Sequence, residues 1–152
     1  MSNTSALRAG DRVLVTRLNY LGDVVLSLPL VDAIRREHAG VEIDYLARDP
    51  GAALLRGDPR FARVIAWPDG AGAALATMKS VRGRGYRAVI DLYSNPRSAW
   101  VSWVSGATIR IGGDRRGRRF LRAVVGHESF YRLQKMPVQW HRILRRNRQL
   151  QA

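Results

Sequence analysis

Two different patterns of apolar positions follow one another near the start of the chain. Val13, Leu14 and Val15 form an apolar run typical of a buried parallel strand, predicted over residues 12–16. Apolar residues then recur at roughly helical spacing, which predicts a helix over residues 23–37. Gly22 is expected to turn the chain between them, and Asp23 to be the N-cap of the helix. The order strand, tight turn, helix is the opening of an α/β domain.

The remaining sequence continues this alternation. Strands are predicted at residues 41–47, 63–67, 88–92 and 108–111, and helices at residues 52–56, 73–81, 97–105, 120–125 and 138–150. Such an order favours an α/β fold with a Rossmann-like parallel sheet, flanked by helices and joined by right-handed crossovers. Residues 1–10 are predicted to be a disordered lead-in, and residues 11–152 one domain.

Composition narrows the class of protein. Hydrophobic residues make up 46% of the 152-residue chain and charged residues 25%, values typical of a soluble globular protein. Cysteine is absent, which fits a reducing compartment. The first residues lack the apolar core of a signal peptide, and no apolar run reaches the roughly 18 residues of a membrane span. A cytoplasmic protein is expected, or one in peripheral contact with a membrane.

Positive charge is concentrated toward the C-terminus. The net charge is +14, and residues 106–152 alone carry 12 basic and 2 acidic residues. Such an excess favours anionic partners, although a solvated arginine-rich surface has the same composition. A basic segment at residues 115–119 is a candidate for phosphate or membrane contact through Arg115, Arg116, Arg118 and Arg119. A basic nucleic-acid- or anion-binding module without catalysis is therefore the alternative to an enzyme.

Two ordered blocks of sequence resemble one known family. Residues 17–30, RLNYLGDVVLSLPL, are similar to the N-terminal signature of the ADP-heptose:lipopolysaccharide heptosyltransferases (glycosyltransferase family 9). Residues 88–99, AVIDLYSNPRSA, and residues 105–112, SGATIRIG, resemble a second block of that family. The resemblance covers about residues 12–113 and implies the N-terminal half of a GT-B glycosyltransferase.

The resemblance also implies roles for individual residues. Asp23 matches the family's proposed general base, which would take a proton from the acceptor hydroxyl during sugar transfer with inversion. Candidate contacts to an anionic glycolipid acceptor, similar to Kdo-lipid A, are Arg17, Asn19, Arg97, Ser98 and Arg110. Arg17, Arg97 and Arg110 are expected near the carboxyl edge of the sheet, where each could instead form an ordinary salt bridge. Ser98 could instead cap its helix.

Other features limit what the resemblance implies. The family binds its nucleotide-sugar donor, ADP-heptose, in a second domain that is not expected within these 152 residues, so the chain is expected to be inactive alone, unless a separate C-terminal half supplies that domain. Asn19 and Tyr20 stand where the family often has small hydroxyl residues, which leaves the acceptor open. No metal site is expected from the three scattered histidines. A dinucleotide-binding glycine motif is lacking as well, so no cofactor is expected in this chain.

Overall fold

A parallel sheet with helices on both faces forms the described part of the protein, which the computed structural model gives for residues 7–93 and 95–112. The strands are β1 (Arg12–Thr16), β2 (Glu42–Ala47), β3 (Arg63–Ala66), β4 (Ala88–Asp91) and β5 (Ile109–Gly112). The helices are α1 (Leu21–Glu37), α2 (Gly51–Leu55), α3 (Ala71–Gly83) and α4 (Pro96–Val104). All pairings are parallel and follow the order β3-β2-β1-β4-β5. The predicted fold class is confirmed.

Both faces of the sheet are covered because the strand residues alternate between two hydrophobic cores. Val13 and Val15 of β1 pack on one face with apolar residues of α1 and α2. Leu14, between them, packs on the other face with apolar residues of α3 and α4. Side chains along a strand point to opposite faces, so a sheet covered on both sides needs a continuous apolar run. This explains why β1 shows no polar alternation.

Strand β2 differs from β1 because it carries a buried carboxylate in its middle. Asp44 is completely buried on the α3 side of the sheet. Its Oδ2 accepts hydrogen bonds from Tyr86 Oη at 2.7 Å and from Arg84 Nε at 3.1 Å. Arg84 directly follows α3 and also pairs with Glu42, so this cluster fastens the end of α3 to the amino ends of the strands. The alternation of apolar and polar residues in β2 reflects a buried ion pair rather than an exposed face.

Some predicted segments lie outside the described residues. These are the basic segment with Arg115, Arg116, Arg118 and Arg119, and the predicted helices at residues 120–125 and 138–150.

Residues 7–10, within the predicted lead-in, have defined contacts. Leu7 packs against the core on the α1 side, and the Gly10 N–H donates to the Gly40 carbonyl at 2.8 Å.

Candidate active site

The order of the strands places a candidate site between β1 and β4. From β1 the chain moves outward to β2 and β3, and then returns to add β4 and β5 on the opposite side of β1. The connections that leave the carboxyl ends of β1 and β4 therefore diverge and leave a crevice between them. In open α/β sheets this is where ligands bind. Arg17, Asn19 and Asp23 lie on the β1–α1 side of the crevice, and Tyr93 on the β4 side.

Arg17 connects the two sides. Its N–H continues the ladder of β1 by donating to the Leu46 carbonyl at 2.9 Å. Its guanidinium donates to the Leu92 carbonyl and to the Asp23 carboxylate, and its Cζ lies 5.5 Å from the centre of the Tyr93 ring. The side chain is only 13% exposed. Arg17 is therefore a fixed cation that orients Asp23, because three contacts hold its guanidinium plane.

Asp23 lies in the first turn of α1 and is not its N-cap. The helix begins at Leu21, two residues earlier than predicted, and Tyr20 is the N-cap residue without any side-chain cap. The predicted capping role is therefore wrong, since the Asp23 carboxylate accepts its hydrogen bond from Arg17. The Asp23 side chain remains 35% exposed. A carboxylate that is oriented by a cation and still open to solvent can accept a proton from a bound hydroxyl group.

Asn19 and Tyr20 complete the β1–α1 connection. The Asn19 side-chain amide donates to the Tyr93 hydroxyl, which gives the crevice a second link between its two sides. Tyr20 has a φ of 60°, and its side chain is 75% exposed. The sequence prediction placed the unusual backbone conformation at Gly22, and this is wrong, because Gly22 lies within α1.

Ser98 stabilises the start of α4 and connects it to the end of β4. Asn95 is the N-cap of α4 and accepts from the Ser98 N–H at 2.8 Å, while Ser98 Oγ accepts from the Asn95 N–H at 3.1 Å. The same hydroxyl donates to Asp91 Oδ2 at 2.8 Å, and Ser98 is fully buried. The expectation that Ser98 caps its helix is confirmed. Its hydroxyl has no exposed surface through which it could contact an acceptor.

The other two predicted acceptor contacts lie in different places. Arg97 is exposed in the first turn of α4, on the carboxyl side of the sheet. Arg110 is the second residue of β5, opposite Val89, and its side chain lies on the α3/α4 face. The predicted location of Arg110 at the carboxyl edge is therefore wrong: a side chain in mid-strand points to a face of the sheet.

A cleft that sequence reasoning missed opens on the other side of the β1–α1 connection. Its volume is about 460 Å³, and it lies at the carboxyl ends of β1, β2 and β3. The side chains of Tyr20, Arg48 and Trp67 contribute to its lining, and Arg48 forms an ion pair with Asp69 of the next loop. The available signal was positional, because Arg48 and Trp67 each directly follow a strand. Trp67 is 7% exposed and belongs to the hydrophobic core on the α3 side of the sheet.

Two other expectations concern metal binding and membrane-spanning segments. Within residues 7–93 and 95–112 there is no group of three or more potential metal ligands, and no helix there is long and apolar enough to cross a membrane. Six arginines of this part form ion pairs with carboxylates: Arg12, Arg17, Arg48, Arg56, Arg60 and Arg84.

Solved structures with a similar fold include glycosyltransferases. The structure resembles the glycosyl transferase family 9 protein from Veillonella parvula with a TM-score of 0.65 and 21% identity, over 78% of this chain and 35% of that one. It resembles E. coli heptosyltransferase WaaC with ADP with a TM-score of 0.62 and 21% identity, over 78% of this chain and 40% of that one. The fold is thus that of part of a GT-B heptosyltransferase. No protein-family model matches the chain.

Sequence comparison leads to the same group of proteins. Lipopolysaccharide heptosyltransferase 1 of Pseudomonas aeruginosa is 29% identical over 153 residues, which cover 93% of this chain and 42% of the relative. The chain is a distant homologue of the lipopolysaccharide heptosyltransferases of glycosyltransferase family 9. It spans less than half the length of the relatives that it matches.

Proposed function

We propose that this chain is the acceptor-side, N-terminal domain of an inverting glycosyltransferase related to the heptosyltransferases, with Asp23 as its general base. The observation that carries the proposal is the Arg17–Asp23 pair, which lies in the crevice between β1 and β4. This pair belongs to a segment that resembles the family's N-terminal signature. The Arg17 side chain is 13% exposed and that of Asp23 35%, as expected for an orienting residue and for a residue that must reach a bound substrate.

In the proposed reaction, the acceptor hydroxyl oxygen attacks the anomeric carbon of a nucleotide-activated sugar. The bond from that carbon to the diphosphate oxygen breaks, and the nucleoside diphosphate leaves with the electron pair. Asp23 takes the hydroxyl proton as the new glycosidic bond forms, and this assistance contributes typically about 10²–10⁴ in rate. Arg17 keeps the carboxylate turned toward the crevice. Exposed Arg97, on the same side of the sheet, would attract anionic groups of a Kdo-lipid A-like acceptor.

The donor site is proposed to lie in the part of the relatives that this chain does not cover. The aligned region spans 42% of the Pseudomonas aeruginosa relative, so the chain by itself is expected to show no transfer. A chimaera tests this: the chain replaces the aligned portion of that relative, whose remaining residues stay unchanged. We expect the chimaera, and not the chain alone, to release ADP from ADP-heptose in the presence of acceptor.

Asp23→Asn in the chimaera removes the base and keeps the shape of the side chain. We expect kcat to fall by about 10²–10⁴-fold with little change in the thermal midpoint. Asp32→Asn is the matched control, because Asp32 is also a half-exposed carboxylate on α1 that pairs with an arginine, Arg60. Full turnover in Asp23→Asn would refute its role as the base. A folded wild-type chimaera without transfer would argue against the transferase itself.

A further inference from the structure

A second cavity lies at the opposite edge of the sheet from Asp23. Its volume is about 480 Å³, and its lining comprises Arg82, Trp103, Val104, Gly106, Ala107 and Arg110. Arg82 lies in the last turn of α3, and residues 104–107 lead from α4 into β5. In a parallel sheet the ends of the crossover helices meet the amino ends of the strands, whereas Asp23 follows the carboxyl end of β1. Among the described residues, this lining contains two arginines and no acidic residue.

Within the described part of the chain, one N–H group of Arg110 has no acceptor. Its Nε is buried and has no hydrogen-bond partner among the described residues. Buried polar groups in folded proteins are nearly always hydrogen-bonded, and a guanidinium N–H left without an acceptor is unfavourable. Because Arg110 lines the cavity, an oxygen-rich anion bound there would supply acceptors to its guanidinium group.

Arg82 is held over the same cavity from the other side. Its Nη1 makes only a long contact, 3.5 Å, with the Val104 carbonyl oxygen. The guanidinium lies against Gly106, where a side chain would collide with it. Gly106 has a φ of +69°, which is also a conformation that favours glycine. The absence of a side chain at Gly106 therefore leaves room for the Arg82 guanidinium. Within the described residues, the other N–H groups of Arg82 are available to a ligand.

Trp103 forms an exposed apolar wall. It is 48% exposed and lies edge-to-face with Trp100, with 5.4 Å between the ring centroids. Tryptophan rings are enriched at interfaces, where they contribute a large apolar contact area. The organic part of an anion bound by the two arginines would pack against Trp103.

We propose that Arg82, Arg110 and Trp103 form a binding site for a phosphomonoester, separate from the Asp23 site and independent of the function proposed for it. Arginine presents a planar fork that matches phosphate oxygens, and two guanidinium groups match the nearly double negative charge of a phosphomonoester. The same chemistry is offered by a soluble sugar phosphate and by a phosphomonoester lipid headgroup. A monocarboxylate has one charge and binds more weakly.

Calorimetric titration of the full chain with glycerol 3-phosphate, in about 0.15 M salt to screen surface charge, tests the site. Acetate is the comparison ligand. A parallel arm measures cosedimentation with phosphatidylcholine vesicles that contain phosphatidic acid, against phosphatidylcholine alone. We expect saturable phosphate binding that weakens at least about 10-fold in Arg82→Gln, which removes charge-assisted hydrogen bonds. Arg110→Lys keeps the charge, loses the fork and should weaken binding as well.

Arg56→Gln is the matched control, because Arg56 is an exposed arginine that does not line the cavity. The site is supported if Arg82→Gln loses binding to either phosphate source while Arg56→Gln keeps it. Loss with glycerol 3-phosphate alone identifies a soluble ligand, and loss with vesicles, alone or together with glycerol 3-phosphate, identifies a lipid headgroup. Equal loss in both variants, or no saturable binding to either source by the wild-type chain, would overturn the proposal. Since Arg82 is exposed, its replacement should leave the thermal midpoint unchanged.

Discussion

Tyr20 has the most unusual backbone conformation among the described residues. It is the one residue of that part, other than glycine, with a positive φ, and its angles are φ 60° and ψ 112°. Residues with a Cβ are disfavoured there by about 1–3 kcal/mol, a cost that persists only where surrounding structure imposes the conformation. The turn delivers the chain from Arg17, fixed by three contacts, into α1. Its geometry therefore places Asp23 beside Arg17.

Tyr20→Gly should stabilise the fold. Relief of the backbone strain outweighs the extra freedom that glycine gives the unfolded chain, so we expect the free energy of unfolding to rise by about 1 kcal/mol. Tyr20→Ala is the control, because it removes the exposed ring and keeps the strained backbone. Urea unfolding of the three proteins measures the difference. A glycine variant no more stable than the alanine variant would mean that the turn stores no strain.

At the scale of elements, the start of α4 is fixed more firmly than the start of α1. Asn95 and Ser98 cap α4 reciprocally, and the buried Ser98 hydroxyl continues to Asp91 at the end of β4. Asp91 also accepts from the Thr16 hydroxyl at 3.0 Å, which joins β4 to β1. Helix α1 has no side-chain cap at all. The rigid β4 side of the crevice thus faces a β1–α1 connection held mainly through Arg17.

Removing the two capping residues should therefore have graded effects. Asn95→Ala loses the cap and should destabilise the protein by about 1 kcal/mol. Ser98→Ala also removes a donor from the buried Asp91 carboxylate, and we expect a larger loss, about 2–3 kcal/mol. Ser80→Ala, on an exposed position of α3, is the control and should change little. Chemical denaturation gives all three values, and the prediction fails if Asn95→Ala costs more than Ser98→Ala.

At the scale of the whole molecule, two buried tyrosines predict alkaline instability. Burial raises the pKa of Tyr45 from its ordinary value near 10 to about 12, and its hydroxyl lies 2.6 Å from Ser27 Oγ. Burial also raises the pKa of Tyr86, helped by its hydrogen bond to the Asp44 carboxylate. Both groups favour the protonated form in the folded state. The contribution of Tyr45 to stability is therefore complete below about pH 10 and is lost as the pH rises toward 12, and the contribution of Tyr86 is likewise lost at alkaline pH.

Tyr45→Phe measures the contribution of one of these groups. The unfolded wild-type chain releases the tyrosine proton near pH 10 while the folded chain retains it, so stability falls with rising pH. Phenylalanine has no such proton. From pH 9 to pH 12 we expect the variant to lose less stability than the wild type, by an amount on the order of 2 kcal/mol. Urea unfolding at several pH values checks this, and equal losses would show that Tyr45 titrates alike in both states.

The amino-acid sequence by itself determined the elements and their order. Periodicity located each described strand and helix to within two residues, because burial on both faces of a sheet requires continuous apolar runs and helix faces require a period near 3.6. Short motifs indicated the resemblance to the heptosyltransferases and made Asp23 a candidate general base, because the residues of a motif are close in the sequence. The same local signals suggested that Ser98 caps α4, which the capping box confirms.

Only the tertiary structure decided which side chains meet. The N-cap prediction for Asp23 was wrong because Arg17 competes for the carboxylate, and Gly22 was the wrong choice for the turn because that conformation falls on Tyr20. The location of Arg110 depended on strand register, which assigns its side chain to the face with Arg82 and Trp103. Contacts between residues distant in the sequence form when strands pair and helices pack. Their partners therefore follow from the assembled sheet rather than from any local pattern.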